Sequence, residues 1–176
     1  MNPHSSGKQE TVLREQFQVL HDVFGRYGIA MTLAGTTHTV NASWSAHSEE
    51  VNMKTTLRRG TYGALNMYVQ DLYPTLGRCF YPVASATPGS RDFILDGCQI
   101  DVNTVPGGAS REGNNRGFMA VHEVGHWFGL AHTFTGAARA GTRSTTRPHR
   151  QRLRGIVLSA KTLAPICRAR IPFTTL

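Results

Sequence analysis

From Glu10 to Arg26, apolar residues recur at Val12, Leu13, Phe17, Leu20 and Phe24 with charged residues between them, the spacing of a helix that buries one face. Thr11 or Glu10 is placed to cap its start, and Tyr27-Gly28 ends the pattern. Ile29-Ala30-Met31-Thr32-Leu33 and Thr37-His38-Thr39-Val40 then alternate and carry β-branched residues, which predicts strands or a hairpin, with Trp44 packed on the sheet. A second helix is expected from about Ser48 to Arg59, closed by Gly60, and a short buried strand over Ala64 to Val69. Between Asp71 and Gly117 the chain is punctuated by Pro and Gly. It leaves two strand candidates, Cys79-Phe80-Tyr81 and Phe93 to Val105, with a turn at Pro88-Gly89 and loops at Pro106-Gly107-Gly108 and Gly113-Asn114-Asn115. A third helix runs from near Gly117 through Phe118, Val121, Val124 and Phe128 to a stop at Gly129. Helices alternating with strands favour an α/β (α+β) layer arrangement, and 176 residues suit one domain.

Charge divides the chain in two. The net charge is +8, but all eleven acidic residues precede Gly136, where ten Lys and Arg nearly balance them, while residues 137–176 hold nine basic residues and no acid. The basicity therefore belongs to the tail, and its arginines follow no helical or strand period and have Phe173 as their one aromatic neighbour, which argues against a nucleic-acid arm. No apolar run is long enough to span a bilayer, and the first residues lack the apolar stretch of a signal peptide. Cys79, Cys98 and Cys167 are too few for a disulfide-built scaffold and lack the spacing of a structural zinc site; one bridge with one leftover thiol remains open.

The chemistry concentrates in residues 122–132, HEVGHWFGLAH. His122 and His126 are one helical turn apart, so both imidazoles project from one face and can share a Zn²⁺ ion, while Glu123 sits beside them as a general base that is not itself a ligand. His132 is six residues past His126, and a straight helix would carry it roughly 9 Å further along the axis. Gly129 supplies the break, because glycine accepts the left-handed conformation that ends a helix and lets the chain turn back. Three neutral histidines leave a fourth position open, the coordination of a catalytic rather than a structural zinc. Trp127 and Phe128 are assigned to the core; His4, His21, His38, His47 and His149 have no partner at ligand spacing and are read as surface or locally bonded residues.

The extended pattern is the metzincin signature. Between about Val12 and Gly136 the sequence resembles the fungal extracellular members of the pappalysin-like metzincins. The likeness is carried also by Thr39-Val40-Asn41-Ala42-Ser43-Trp44, Arg59-Gly60-Thr61-Tyr62, Leu65-Asn66-Met67-Tyr68, Thr87-Pro88-Gly89-Ser90, Asp96-Gly97-Cys98, Val105-Pro106-Gly107-Gly108 and His132-Thr133-Phe134. The resemblance implies a secreted, extracellular zinc endopeptidase with a twisted mixed sheet, backing helices and an active-site helix. It further implies one Zn²⁺ held by His122, His126 and His132, Glu123 activating water, and a Cys79–Cys98 disulfide. Protein or peptide substrates follow from the same likeness; a monomer is expected, with no nucleic-acid partner on the charge pattern and no membrane partner for want of a spanning run.

The likeness stops at Gly136. No methionine follows Met119, so the hydrophobic floor that metzincins place under the zinc has no counterpart, and the lower C-terminal subdomain is expected to be largely missing. Residues 1–136 are thus read as a catalytic domain, and residues 137–176 as a basic, low-structure tail translated through a frame error or a missed intron, with Cys167 a free thiol. Two competing readings are a catalytically inactive truncated metzincin and a non-enzymatic basic binding protein.

Overall fold

The structure is a computed structural model that describes residues 3–84, 86–110, 113–132 and 168–175; within 3–6 and 168–175 it describes the backbone alone. Helix α1 (Pro3–Gly25) leads into strand β1 (Ala30–His38). The short helices α2 (Ala42–Ser45) and α3 (Glu50–Leu57) precede β2 (Met67–Gln70) and β3 (Gly77–Cys79). Helix α4 (Arg91–Leu95), strand β4 (Cys98–Asp101), helix α5 (Phe118–Trp127) and strand β5 (Arg168–Thr175) complete the order.

The sheet runs β1-β5-β2-β4-β3, parallel except for β3, which pairs antiparallel with β4 as an edge strand. In β2 and β4 every residue is buried, as expected of parallel strands covered on both faces. The two-residue period then sorts the side chains. Met67, Val69, Cys98 and Ile100 join Leu13, Leu20 and Phe24 of α1 and Ala120, Val124 and Trp127 of α5 in the main core. Tyr68 turns to the other face, where it packs with Trp44 and Met53, so Trp44 does lie on the sheet, carried there by α2.

Several elements differ from the sequence expectation. Helix α1 starts at Pro3, and Thr11 is one of its interior residues, with its hydroxyl donating back to the Gly7 carbonyl rather than capping the start. The expected strands or hairpin at 29–40 form one strand with a register shift between Leu33 and Gly35. The strand expected over Phe93 to Val105 is divided: Ser90 caps a helix by accepting from the Phe93 amide, and extended pairing begins only at Cys98. Apolar runs this short do not distinguish a buried strand from a helix, and the cap decided it. In the tail, the backbone of β5 fills the slot between β1 and β2, an arrangement made by main-chain pairing that needs no side-chain period. Residues 133–167, with Cys167 and His149, lie outside the described residues.

Cys79 and Cys98 sit opposite each other in the β3–β4 ladder and are joined by a disulfide. A second tie runs behind the sheet. Lys54 is fully buried, donates to the Leu95 carbonyl at 2.5 Å, pairs with Glu50 at 2.9 Å and lies over the Phe80 ring. Glu50 in turn holds Arg78 of β3 at 2.8 Å.

Burial pushes the Lys54 ammonium down from its ordinary 10.5 to about 8, against the opposing pull of Glu50. Between those two values the unfolded chain holds a proton that the folded chain has released, so this group adds stability as pH rises from about 8 to about 10.5. Urea unfolding at pH 7.5 and pH 9.5 is expected to show wild type gaining on the order of 1–3 kcal/mol relative to Lys54→Met. A difference that stays constant across that interval would contradict the assignment.

Candidate metal centre

Helix α5 opens at Gly117, whose carbonyl accepts a bond from the buried Gln16 amide of α1, and Phe24 of α1 packs its ring 5.3 Å from Phe128 at the other end. Between these supports, Ala120, Val124 and Trp127 face the core. The Trp127 indole N–H donates to Asp96 Oδ1 at 2.8 Å, and Asp96 Oδ2 faces the Arg58 guanidinium at 3.0 Å, all three side chains being buried. Burial pushes the Asp96 carboxyl up, and Arg58 and the indole oppose that push.

The helix ends as a Schellman motif. Gly129 takes φ +90°, its amide bonds to the His126 carbonyl at 2.8 Å, and the Leu130 amide bonds to the Gly125 carbonyl at 2.9 Å. A side chain at 129 would be strained by that φ, and the chain turning there brings His132 back beside the helix. The three imidazoles then converge: His122 Nε2 lies 3.2 Å from His126 Nε2 and 3.0 Å from His132 Nε2, and the last two are 3.0 Å apart.

The donor set fits a metal ion. His126 Nδ1 lies 2.6 Å from the Leu130 carbonyl, which can only accept, so the proton sits on Nδ1 and the Nε2 lone pair is free. The Tyr81 hydroxyl stands 3.1 Å from the same Nδ1, with its ring against the imidazole. For His122, burial and then the two neighbouring imidazoles hold the ring below its ordinary value, toward the neutral form that can coordinate. A tetrahedral ion at roughly 2.0–2.1 Å from each nitrogen would set the three about 3.3 Å apart, close to the spacing seen. Among the described residues these three histidines are the group able to hold a metal.

Glu123 is 6 % exposed and points away from the core beneath edge strand β3. Gly77 makes its place: a Cβ there would lie 2.7 Å from Glu123 Cγ. Burial pushes the Glu123 carboxyl up, opposed by His126. His122 and Glu123 together line a cleft of about 530 Å³ that continues past Gly77 to Met119. Gly77, Tyr81 and Asp96 were not singled out for the site in the sequence; no spacing rule links them to the histidines, since each meets the helix from a different element. Trp127 is core, as expected, and His21, His38 and His47 are exposed and away from the three ligating candidates.

Fold and site together define a mixed α/β protein with a three-histidine cluster able to bind a metal ion beside a buried carboxylate. Comparison with known proteins agrees with that class. The chain is 51% identical over 130 residues to an extracellular metalloprotease of Podospora anserina, covering 72% of this chain and 44% of that protein. It is 45% identical to one from Colletotrichum graminicola and 43% identical to extracellular metalloprotease 1 of Coccidioides posadasii, each over 128 residues, covering 72% of this chain and 45% and 46% of those proteins. The chain thus spans less than half the length of the curated relatives it matches. No protein-family model and no solved structure matches it. No helix among the described residues is long and apolar enough to cross a membrane.

Trp127→Phe keeps the ring in the core but leaves Asp96 Oδ1 without its donor. Chemical denaturation is expected to show a loss of about 1–3 kcal/mol, the cost of an unsatisfied buried acceptor. Unchanged stability would mean that Asp96 finds another partner.

Proposed function

We propose that this chain is the upper part and zinc centre of a secreted metzincin-type, pappalysin-like endopeptidase, and that His122, His126 and His132 bind one Zn²⁺ ion. The observation that carries the reading is the convergence of three imidazole Nε2 atoms to within 3.2 Å of one another, beside a cleft that Glu123 also lines. The relatives are extracellular metalloproteases by name, which suggests the class of reaction, hydrolysis of peptide bonds, and the extracellular setting. A disulfide between β3 and β4 suits an oxidising exterior.

Bound there, zinc would polarise the scissile carbonyl and acidify water. The chain's own residues do the rest. His126 is held in the ligating tautomer by the Leu130 carbonyl, as a fixed second partner does for a metal-bound imidazole. Glu123 takes the proton from the attacking water and passes it to the leaving amine, so no covalent intermediate forms. Its burial beneath Gly77 supports this role, because a base shielded from bulk water holds its proton more readily. The substrate lies extended along the outer edge of β3, toward Cys79 to Val83, adding a strand to the sheet. The division into a catalytic domain over 1–136 and a non-family tail over 137–176 belongs to the same proposal.

Two measurements test it. Metal analysis of the dialysed protein is expected to find one zinc per chain in wild type and in Glu123→Ala, and an affinity weaker by roughly 100-fold or more in His126→Ala, which loses one of three protein ligands. On casein or gelatin, hydrolysis by the zinc-loaded protein, completed where the chain alone is inert with the sequence that follows the matched region in a relative, disappears in Glu123→Ala. Digestion that persists in Glu123→Ala would overturn the mechanism, and zinc retained by His126→Ala would overturn the ligand set.

A further inference from the structure

The cleft beside the histidines has a chemical asymmetry. Its inner wall holds Glu123, buried, and Gly77. Leu76, Phe118 and Met119 give it apolar sides, and Phe118 is 58 % exposed, a large apolar surface that no partner covers among the described residues. At its outer end stand Asn114 and the exposed Arg116. Among the described residues, Arg116 is the one cationic residue on this lining, and its guanidinium has no carboxylate partner there.

We propose that Arg116 is a specificity-determining residue of this cleft and selects peptides that carry a glutamate side chain next to the scissile bond, on the Glu123 side of the metal. The inference rests on the endopeptidase reading above and deepens it by naming a substrate class. Helix α5 begins at Phe118, four residues or about 6 Å of helix axis before His122, and Arg116 lies beyond that start, so a group that bridges from the metal to the guanidinium needs length. Glutamate has that length: its two methylenes match the apolar walls of Leu76, Phe118 and Met119, and its carboxylate reaches the fork of N–H donors that arginine presents. Aspartate is one methylene shorter and lysine brings a like charge to Arg116. A purely apolar side chain would satisfy the walls and leave Arg116 and the Asn114 amide unused. The anionic tip also stays apart from Glu123, because the carboxylate of the protein is buried at the inner wall and Arg116 is exposed at the outer end.

The test uses the whole 176-residue chain loaded with zinc and a series of otherwise identical short peptidyl hydroxamates whose side chain beside the metal-binding group is that of Glu, Asp, Gln, Leu or Lys. Affinity is read by calorimetry, so no turnover is needed. The Glu compound is expected to bind about fivefold more tightly than the Gln compound, the upper range for a solvent-exposed ion pair, and the gap should shrink in 1 M salt. Arg116→Gln should close the gap with zinc content unchanged, and Arg116→Glu should turn the preference toward Lys. Equal binding of the Glu and Gln compounds by wild type, or a gap that survives Arg116→Gln, overturns the role of Arg116 while leaving the metal centre standing. If the chain retains zinc and binds none of the five compounds, the cleft is not a substrate site and this inference falls alone. If it retains no zinc, the endopeptidase reading falls and takes the inference with it.

Discussion

Helix α5 carries His122, Glu123 and His126, and its placement depends on a carboxylate that touches none of them. Asp96 sits between the Trp127 indole and the Arg58 guanidinium, with all three side chains buried. Burying a carboxylate is unfavourable unless it is paired and hydrogen-bonded, so the arrangement holds only when both partners are in register. That requirement transmits position: Arg58 follows α3, Asp96 follows α4, and Trp127 is the last residue of α5. A shift of the helix along its axis would break the indole bond, so Asp96 fixes where the imidazoles stand.

From that anchor the rest of the site is a matter of close approach. Edge strand β3 lies near enough to α5 that only a residue without Cβ fits at position 77, and Glu123 occupies the space so gained. The same strand is tied to β4 by the Cys79–Cys98 disulfide and to α3 through Arg78, Glu50 and Lys54. The edge that would receive a substrate strand is thereby held from both the sheet and the helix behind it. Short edge strands otherwise fray, and a cleft wall that moved by an ångström would misplace a reacting group at a large cost in rate.

The Schellman turn at Gly129 and the tautomer of His126 are one device. The turn that reverses the chain also presents the Leu130 carbonyl to His126 Nδ1, so the residue that ends the helix and the atom that orients the imidazole come from the same few bonds. A Cβ at position 129 would meet the Pro82 ring, so this turn lies beside the segment that brings Tyr81 to the imidazole.

Much of this was legible along the chain. Positions 122, 126, 129 and 132 declare their geometry because helical spacing and the glycine break are local, α1 and α5 follow from apolar periods, and β2 reads as a short buried run. Nearest-neighbour rules could not resolve Phe93 to Leu95, whose apolar run fits helix or strand until the Ser90 cap forms, nor the pairing of Arg168–Thr175, which depends on an open slot in a distant part of the sheet. The places of Asp96, Gly77 and Tyr81 beside the site were decided only in three dimensions. Each acts on the site from another element, and contact between residues far apart in sequence is set by packing, for which no spacing in the chain provides a measure.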